Sequence, residues 1–117
     1  MSYIIQVNNW HPHTLNKLMK AHYHAANRMK SGDAQMIAAY ARIARVPKAV
    51  GRRKLEIKIQ ATGKFADPDA YYKSVNDALV TLGYLKDDSS KWVEITPTTF
   101  VRGKSKATTI ILTDLYA

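Results

Sequence analysis

Residues 67–88, DPDAYYKSVNDALVTLGYLKDD, hold the pattern that decides the fold of this chain. The capping residues at the two ends of this stretch predict a helix over 68–82. Asp67 fits the N-cap, Pro68 fits the first helical position and Gly83 fits the C-cap. At 100° per residue the helix has one apolar stripe, as expected of a helix that buries one face. The stripe consists of Tyr71, Val75, Ala78, Leu79 and Leu82.

The same residues concentrate acidic side chains. The chain has 18 Lys and Arg but only 9 Asp and Glu, and the stretch 67–88 contains Asp67, Asp69, Asp77, Asp87 and Asp88. Hard divalent cations such as Mg²⁺ take oxygen ligands, usually one or two carboxylates together with substrate phosphates. A helix N-terminus also attracts phosphate through its free N–H groups and its dipole. A basic chain around a small acidic cluster therefore indicates an enzyme that cuts or rearranges nucleic-acid backbones.

Each acidic feature also has a purely structural interpretation. Asp67 alone is most often an N-cap, and Asp69 with Lys73 forms an ordinary i,i+4 pair worth roughly 0.3–0.5 kcal/mol. Asp87 and Asp88, which precede two serines, are typical of a turn or a cap. The residues by themselves leave both interpretations open.

Outside this stretch, hydrophobic periodicity predicts a single α+β domain, 1–117, with a small mixed β-sheet packed with helices. Ser31-Gly32 is expected to separate two helices, the first capped by Thr14 and the second by Asp33. Pro97 is expected to place the third strand at an edge or a bulge. The predicted strands are 3–7, 55–60, 92–95 with an extension toward 101, and 108–115; the two helices are 14–30 and 34–45.

The bulk composition narrows the class of protein. The net charge of +9 favours an anionic partner, with nucleic acid ahead of an anionic membrane surface. The absence of Cys excludes a disulfide framework and a thiolate metal site. The first residues show no signal-peptide pattern, and no apolar run approaches the roughly 20 residues of a membrane span. We therefore expect a soluble, cytoplasmic protein with no membrane association and no small-molecule cofactor.

The basic residues occur in clusters along the chain. The functional interpretation of these clusters is a surface that follows DNA phosphates, and the structural interpretation is scattered solubilising charge. The high net charge favours the first. The predicted DNA-facing residues are Lys17, Lys20, Arg52, Arg53, Lys54, Lys64, Lys73, Arg102, Lys104 and Lys106.

The four histidines form two His-x-His pairs, His11 with His13 and His22 with His24. Imidazoles in such pairs can bind Zn²⁺. However, the second pair is predicted to be helical, and helical side chains two residues apart do not share a face. With no Cys in the chain and no acid nearby in the sequence, we expect solvated or DNA-facing histidines rather than a zinc site.

The runs 67–79 and 82–88 resemble the RusA family of Holliday junction resolvases. The family pattern has Asp-x-Asp, a Lys four residues after the second Asp, Asp-Ala-Leu, a Gly that ends the helix, an aromatic and a closing Asp-Asp. This chain has all of these features at matching spacing, over about a fifth of its length. It departs from the pattern at Ala70, where the family commonly has Asn, and at 63–66, where the family often has an Arg-rich run.

The resemblance implies a RusA-like, homodimeric α+β nuclease that uses Mg²⁺. By this resemblance, Asp67, Asp69 and Asp88 match the catalytic metal-binding acids, and Lys73 matches the essential lysine. The implied activity is a structure-selective endodeoxyribonuclease that resolves Holliday junctions by paired nicking in DNA recombination and repair. The implied partner is four-way junction DNA.

The alternative is a non-catalytic basic module that binds DNA or RNA, in which the acids only cap helices and form turns. The feature that separates the two hypotheses is whether Asp88 meets Asp67 and Asp69 in space.

A further expectation concerns assembly. The first strand, the predicted helix 34–45 and the final strand carry more apolar side chains than one small core can be expected to cover, so some should meet a second copy of the chain. The residues concerned are Met36, Ile37, Ile43, Ile110 and Leu112.

Overall fold

The structure, a computed structural model, describes residues 1–63 and 68–115, without the side chains of 15, 16 and 68–70. Five strands and three helices make up this described part of the chain. In chain order they are β1 (Ser2–Asn8), α1 (Leu15–Lys20), α2 (Tyr23–Ile43), β2 (Arg53–Ala61), α3 (Pro68–Leu82), β3 (Val93–Ile95), β4 (Thr99–Arg102) and β5 (Ala107–Asp114). The predicted combination of helices with one small mixed sheet is confirmed.

The strands form one sheet in the order β1-β5-β2, with β3 and β4 both paired to the far edge of β2. β1 and β2 run antiparallel to β5, whereas β3 and β4 run parallel to β2. β3 pairs with 53–55 and β4 with 58–61, so these two short strands form one interrupted edge. Pro97 lies in the interruption, where its missing N–H would remove a ladder bond, and this agrees with the expected edge position.

Helices α2 and α3 cover one face of the sheet. On β2 the side chains of Leu55, Ile57 and Ile59 are at most 2% exposed. They join Ile37 of α2 and Leu79 of α3 in one core. Successive strand residues point to opposite faces, so the other side of the sheet, here called the open face, carries the alternate residues. Among them are Ile4 of β1 and Lys54, Glu56 and Lys58 of β2, all exposed or half-buried.

The expected helix break at Ser31-Gly32 is wrong. Helix α2 runs through both residues, and the break falls earlier, at Ala21 and His22. A glycine inside a helix costs about 1 kcal/mol relative to Ala. Burial of one face of α2 offsets that cost, because Ile37 is fully buried in the core.

The expected capping role of Asp33 is also wrong. Asp33 lies inside α2 and is only 2% exposed. Its two carboxylate oxygens bond with His13, one with the backbone N–H and one with ring Nδ1, each at 2.9 Å. A residue type typical of a helix start is here used for a tertiary contact, which local sequence does not reveal.

The expected surplus of apolar side chains is largely absent. Ile37, Ile110 and Leu112 are all fully buried in the single core, and Met36 packs against it. Only Ile43 of the five is strongly exposed, at 75%. The helices α2 and α3 together therefore cover more of the sheet than its modest size suggested.

Arg53 does not face DNA, contrary to expectation, because it is buried at the start of β2. Its side chain is 2% exposed, with Nε donating to Asp114 Oδ1 at 2.8 Å and Nη1 donating to the Tyr84 carbonyl at 2.9 Å. The Tyr3 hydroxyl donates to the other Asp114 oxygen at 3.1 Å. The side-chain hydrogen bond from Arg53 is the main cause that lowers the pKa of Asp114. We call these residues the Arg53 cluster.

We expect Asp114→Asn to destabilise the protein by about 2–3 kcal/mol at neutral pH, the scale of a hydrogen bond to a charged group. The pKa of Asp114 is lower in the folded than in the unfolded state, so its contribution is present above the unfolded pKa and is lost as pH falls through the folded pKa. Urea unfolding should therefore show a gap between wild type and variant that narrows below about pH 4. Glu94→Gln, at an exposed position of β3, is the control. A gap that is equally large at low pH would contradict the role given to the charge of Asp114.

Candidate functional site

One end of the sheet collects the segments that the sequence singled out. β1 and β2 both end there, and the turn 103–106 between β4 and β5 lies at the same end. Gly103 N–H donates to the Ala61 carbonyl at 3.1 Å, and Asn9 N–H donates to the Lys106 carbonyl at 2.8 Å. From this end the chain leaves β2 toward α3 and leaves β1 toward the first two histidines. We call it the site end of the sheet.

Helix α3 has the predicted boundaries and the predicted buried stripe. Tyr71, Val75 and Leu79 are buried in the core, whereas Lys73 and Asp77 are exposed. Helix α3 therefore buries one face against the core and leaves the lysine of the motif free to meet a ligand.

Gly83 ends the helix as predicted. Its φ of +84° lies in the left-handed region that favours glycine. The following Tyr84 N–H donates to the Leu79 carbonyl at 2.9 Å, which satisfies a carbonyl of the last turn.

After Gly83 the chain passes through the buried Tyr84 and Leu85 to the exposed Asp87 and Asp88. Tyr72 is half-buried on the helix, and burial, followed by the charges of Asp88 and Asp77, raises the pKa of its hydroxyl. Asp88 is exposed, and its backbone N–H donates to Asp87 Oδ1 at 2.8 Å. The structure thus brings the Asp88 carboxylate within electrostatic reach of a side chain in the first half of α3, next to Lys73 in sequence.

Two of the three predicted metal ligands cannot be located. Asp67 lies outside the described residues, as does the predicted DNA-facing Lys64, and the side chain of Asp69 is not described. Among the residues that are described, no group of three or more His, Asp or Glu side chains is arranged to hold a metal ion. The convergence of Asp67, Asp69 and Asp88 therefore stays a prediction.

A buried polar atom lies on α3 one turn after Tyr72. Asn76 is 2% exposed, and its Oδ1 has no hydrogen-bond donor within the described part of the chain. Leaving such an acceptor unsatisfied costs about 1–3 kcal/mol. Asn76 and Tyr72 are i,i+4 neighbours and so share one flank of the helix. An oxygen acceptor on the flank that Asp88 approaches fits a hard cation or a water bound to one.

Some of the predicted DNA-facing residues lie at one or the other end of β2. At the site end, Arg102 is exposed at the end of β4, and Lys104 and Lys106 are exposed in the turn that follows; we call these three residues the basic turn. Arg52 is exposed at the opposite end, where Nε donates to the Ser90 carbonyl at 3.1 Å. The nine residues of β2 separate these ends by about 26 Å.

The other predicted DNA-facing residues are distributed over the helices and the sheet. Lys17 and Lys20 are exposed on α1, as Lys73 is on α3. Lys54 is half-buried on the open face, with Nζ 3.6 Å from Glu56 Oε1. The described basic residues are therefore spread over both ends of the sheet and over α1 and α3, and the basic turn lies at the end from which the chain leaves toward α3.

Sequence reasoning missed the partners of the first histidine pair. His13 contacts the buried Asp33, and His11 Nε2 lies 2.7 Å from the Gln60 carbonyl oxygen at the end of β2. The acid that partners His13 is 20 residues away in sequence, so no local pattern could reveal it.

The expectation that His22 and His24 lie on different faces of one helix is also wrong. His22 is the N-cap of α2 and lies outside the helix, so its ring reaches a centroid distance of 5.6 Å from His24.

A cavity of about 310 Å³ lies between the three helices, with Leu18 of α1, Asp33 of α2 and Ser74 of α3 among its lining residues.

No described helix has the length and apolar content that crossing a membrane requires. Neither a protein-family model nor a curated protein matches this chain.

Proposed function

We infer that this chain is a Mg²⁺-dependent structure-selective endodeoxyribonuclease of the RusA type that cleaves four-way DNA junctions by paired nicking. The observation that carries the inference is the spacing of the acids and the lysine over 67–88. The charge of Asp88 helps to raise the pKa of the Tyr72 hydroxyl on α3, which supports a position of the closing Asp-Asp near this helix. The net charge of +9 supports an anionic substrate.

In this proposal Asp67, Asp69 and Asp88 would hold one or two Mg²⁺ ions. When bound, Mg²⁺ supplies an activated water and neutralises charge on the attacking and leaving oxygens. Lys73, exposed on α3, would stabilise the charge that builds on the scissile phosphate in the transition state. Asn76 would accept a hydrogen bond within the same flank and so orient a ligand-bound water.

A homodimer would match the two-fold symmetry of a four-way junction, because paired nicks require two active sites related by that symmetry. The open face of the sheet supplies apolar surface for a second copy. Ile4 is 56% exposed and pairs in register with Ile111, and Val101 of β4 is 39% exposed. These side chains, together with Ile43 at the end of α2, which is 75% exposed, support the proposed dimer.

The alternative, a non-catalytic binding module, is favoured by one contact. The bond between Asp88 N–H and Asp87 Oδ1 is an ordinary turn interaction, and it gives these two acids a structural role without a metal. Both functions use the basic turn, so cleavage rather than binding distinguishes them.

We expect Asp69→Asn and Asp88→Asn each to abolish cleavage of a synthetic mobile four-way junction in Mg²⁺, because each deletes a ligand. Binding in EDTA should be unchanged or tighter, since the change removes a charge that repels phosphate. Lys73→Ala should slow single-turnover cleavage by roughly 10²–10³, the scale of one lost transition-state donor. Glu94→Gln is the control. Cleavage at the wild-type rate by Asp88→Asn would contradict the site.

We expect Asn76→Asp to report on the cation independently of cleavage. The near-isosteric change places a charge in a buried position, so the metal-free protein should melt at least roughly 4 °C lower, the shift that about 1 kcal/mol produces in a small domain. Added Mg²⁺ should then raise the melting temperature of the variant more than that of wild type, because binding to the folded state stabilises it.

The matched control for that experiment is Asn27→Asp, which adds the same charge at an exposed position of α2. An Asn76→Asp protein whose response to Mg²⁺ equals that of the Asn27→Asp protein would remove Asn76 from the cation site.

We expect the basic turn to make phosphate contacts. Changing both Arg102 and Lys104 to Ala should reduce the slope of log affinity against log salt by about 1.8, because each lost contact to duplex DNA contributes about 0.9. Changing both Arg52 and Lys54 to Ala, at the opposite end of β2, should reduce it less. Equal losses from the two double variants, measured by junction binding in EDTA, would show that the site end has no special share in binding.

A further inference from the structure

The segment Trp10–Thr14, here called the histidine segment, is fixed along its whole length. The Trp10 carbonyl accepts from the Thr108 hydroxyl at 2.8 Å, and the His11 ring bonds with the Gln60 carbonyl. The Thr14 side chain caps α1 by accepting from the Lys17 N–H. Side chains on a segment anchored this often are preorganised, so a ligand that binds them has little ordering cost to overcome.

His13 is the member of this segment that joins two helices. Its backbone N–H donates to Asp33 Oδ2 in α2, and its carbonyl oxygen accepts from the Ser74 hydroxyl in α3. The ring adds a 2.9 Å contact between Nδ1 and Asp33 Oδ1, which orients the imidazole.

The burial of the two partners is unequal. The Asp33 side chain is 3% exposed, whereas the His13 side chain is 31% exposed. A carboxylate buried to this degree requires a polar partner, and the backbone N–H and ring of His13 provide it. With Nδ1 engaged, Nε2 is the ring atom that remains for a ligand, and the described residues make no hydrogen bond to it. When the ring is protonated, Nε2–H is a charged donor suited to an anion.

Charged groups of both signs lie near the helix residues that His13 contacts. Asp33 and Ser74 line a cavity together with Lys30 of α2 and Asp77 of α3. Asp33 already contacts the imidazole ring, which leaves Asp77 as the acid of this cavity without that contact. Asn9, just before the segment, bonds to the Lys106 carbonyl of the basic turn.

We propose that His13, oriented by its contact with the buried Asp33, binds a phosphate of the DNA beside α3. The identity of the ligand rests on the proposed function, because an anchored imidazole fits any phosphate. The bond between the Ser74 hydroxyl and the His13 carbonyl holds the segment beside α3, one residue after Lys73 in sequence. His13 is therefore a substrate-binding residue, and Asp33 is its positioning residue.

The test is junction binding in EDTA across a range of salt concentrations, at about pH 6 and about pH 8.5, on either side of the usual histidine range. The proteins are wild type, His13→Gln and the control His24→Gln, which alters an exposed imidazole at the start of α2. Near pH 6, His13→Gln should reduce the slope of log affinity against log salt by about 0.9, the value of one phosphate contact. Near pH 8.5 its slope should equal that of wild type, and His24→Gln should match wild type at both.

Each outcome decides the proposal. The proposal is wrong if the slope of log affinity against log salt for His13→Gln equals that of wild type near pH 6, or is reduced equally at both pH values. The contact between His13 and Asp33 would then have a purely structural role. Thermal melting of His13→Gln checks that the protein stays folded under the binding conditions. If the pH-dependent contact is found but no junction is cut in Mg²⁺, the nuclease function fails and the His13 contact stands. If wild type binds no junction DNA, both fail together.

Discussion

The buried Arg53 cluster is the interaction on which the arrangement of the molecule depends. A guanidinium at the start of β2 is bonded to Asp114 at the end of β5 and to the Tyr84 carbonyl just after α3. Because a buried charge must keep its partners, the cluster fixes the register of two strands and the point from which the chain returns along α3. The loop that carries Asp87 and Asp88 begins just after Tyr84, one of the partners of Arg53.

Sequence predicts those parts of the fold that depend on residues close together in the chain. Pro68 and Gly83 mark the ends of α3, and the alternation of β2 identifies its buried face, because caps and strand periodicity act over a few residues. Ser31-Gly32 failed as a stop signal for a different reason. The apolar face of α2 gains more by packing as one helix than the glycine loses, and that gain comes from strands distant in sequence.

The proposed site shows the same division. The motif spacing predicts the bounds of α3 and the exposed position of Lys73 on it, and it also anticipates the turn after Gly83. Arg53 was misassigned because a basic residue beside other basic residues is usually exposed, whereas its real partner is 61 residues away. The contact of His13 with Asp33 could not be predicted either, since it depends on how the segment after β1 crosses two helices. Contacts between elements distant in sequence need the fold first.

The pairing of β1 has a consequence for how the chain folds. β1 pairs with β5, and the register joins Ser2 to Thr113 across nearly the whole sequence. Closing so long a loop is entropically costly, and contacts of this kind form late in small domains. During synthesis β1 cannot pair with β5 until β5 has left the ribosome. Until then the backbone groups of β1 are hydrogen-bonded to water. The site end therefore assembles only once β5 is available, because the histidine segment, the basic turn and the start of the path to α3 all meet there only when β5 is in place.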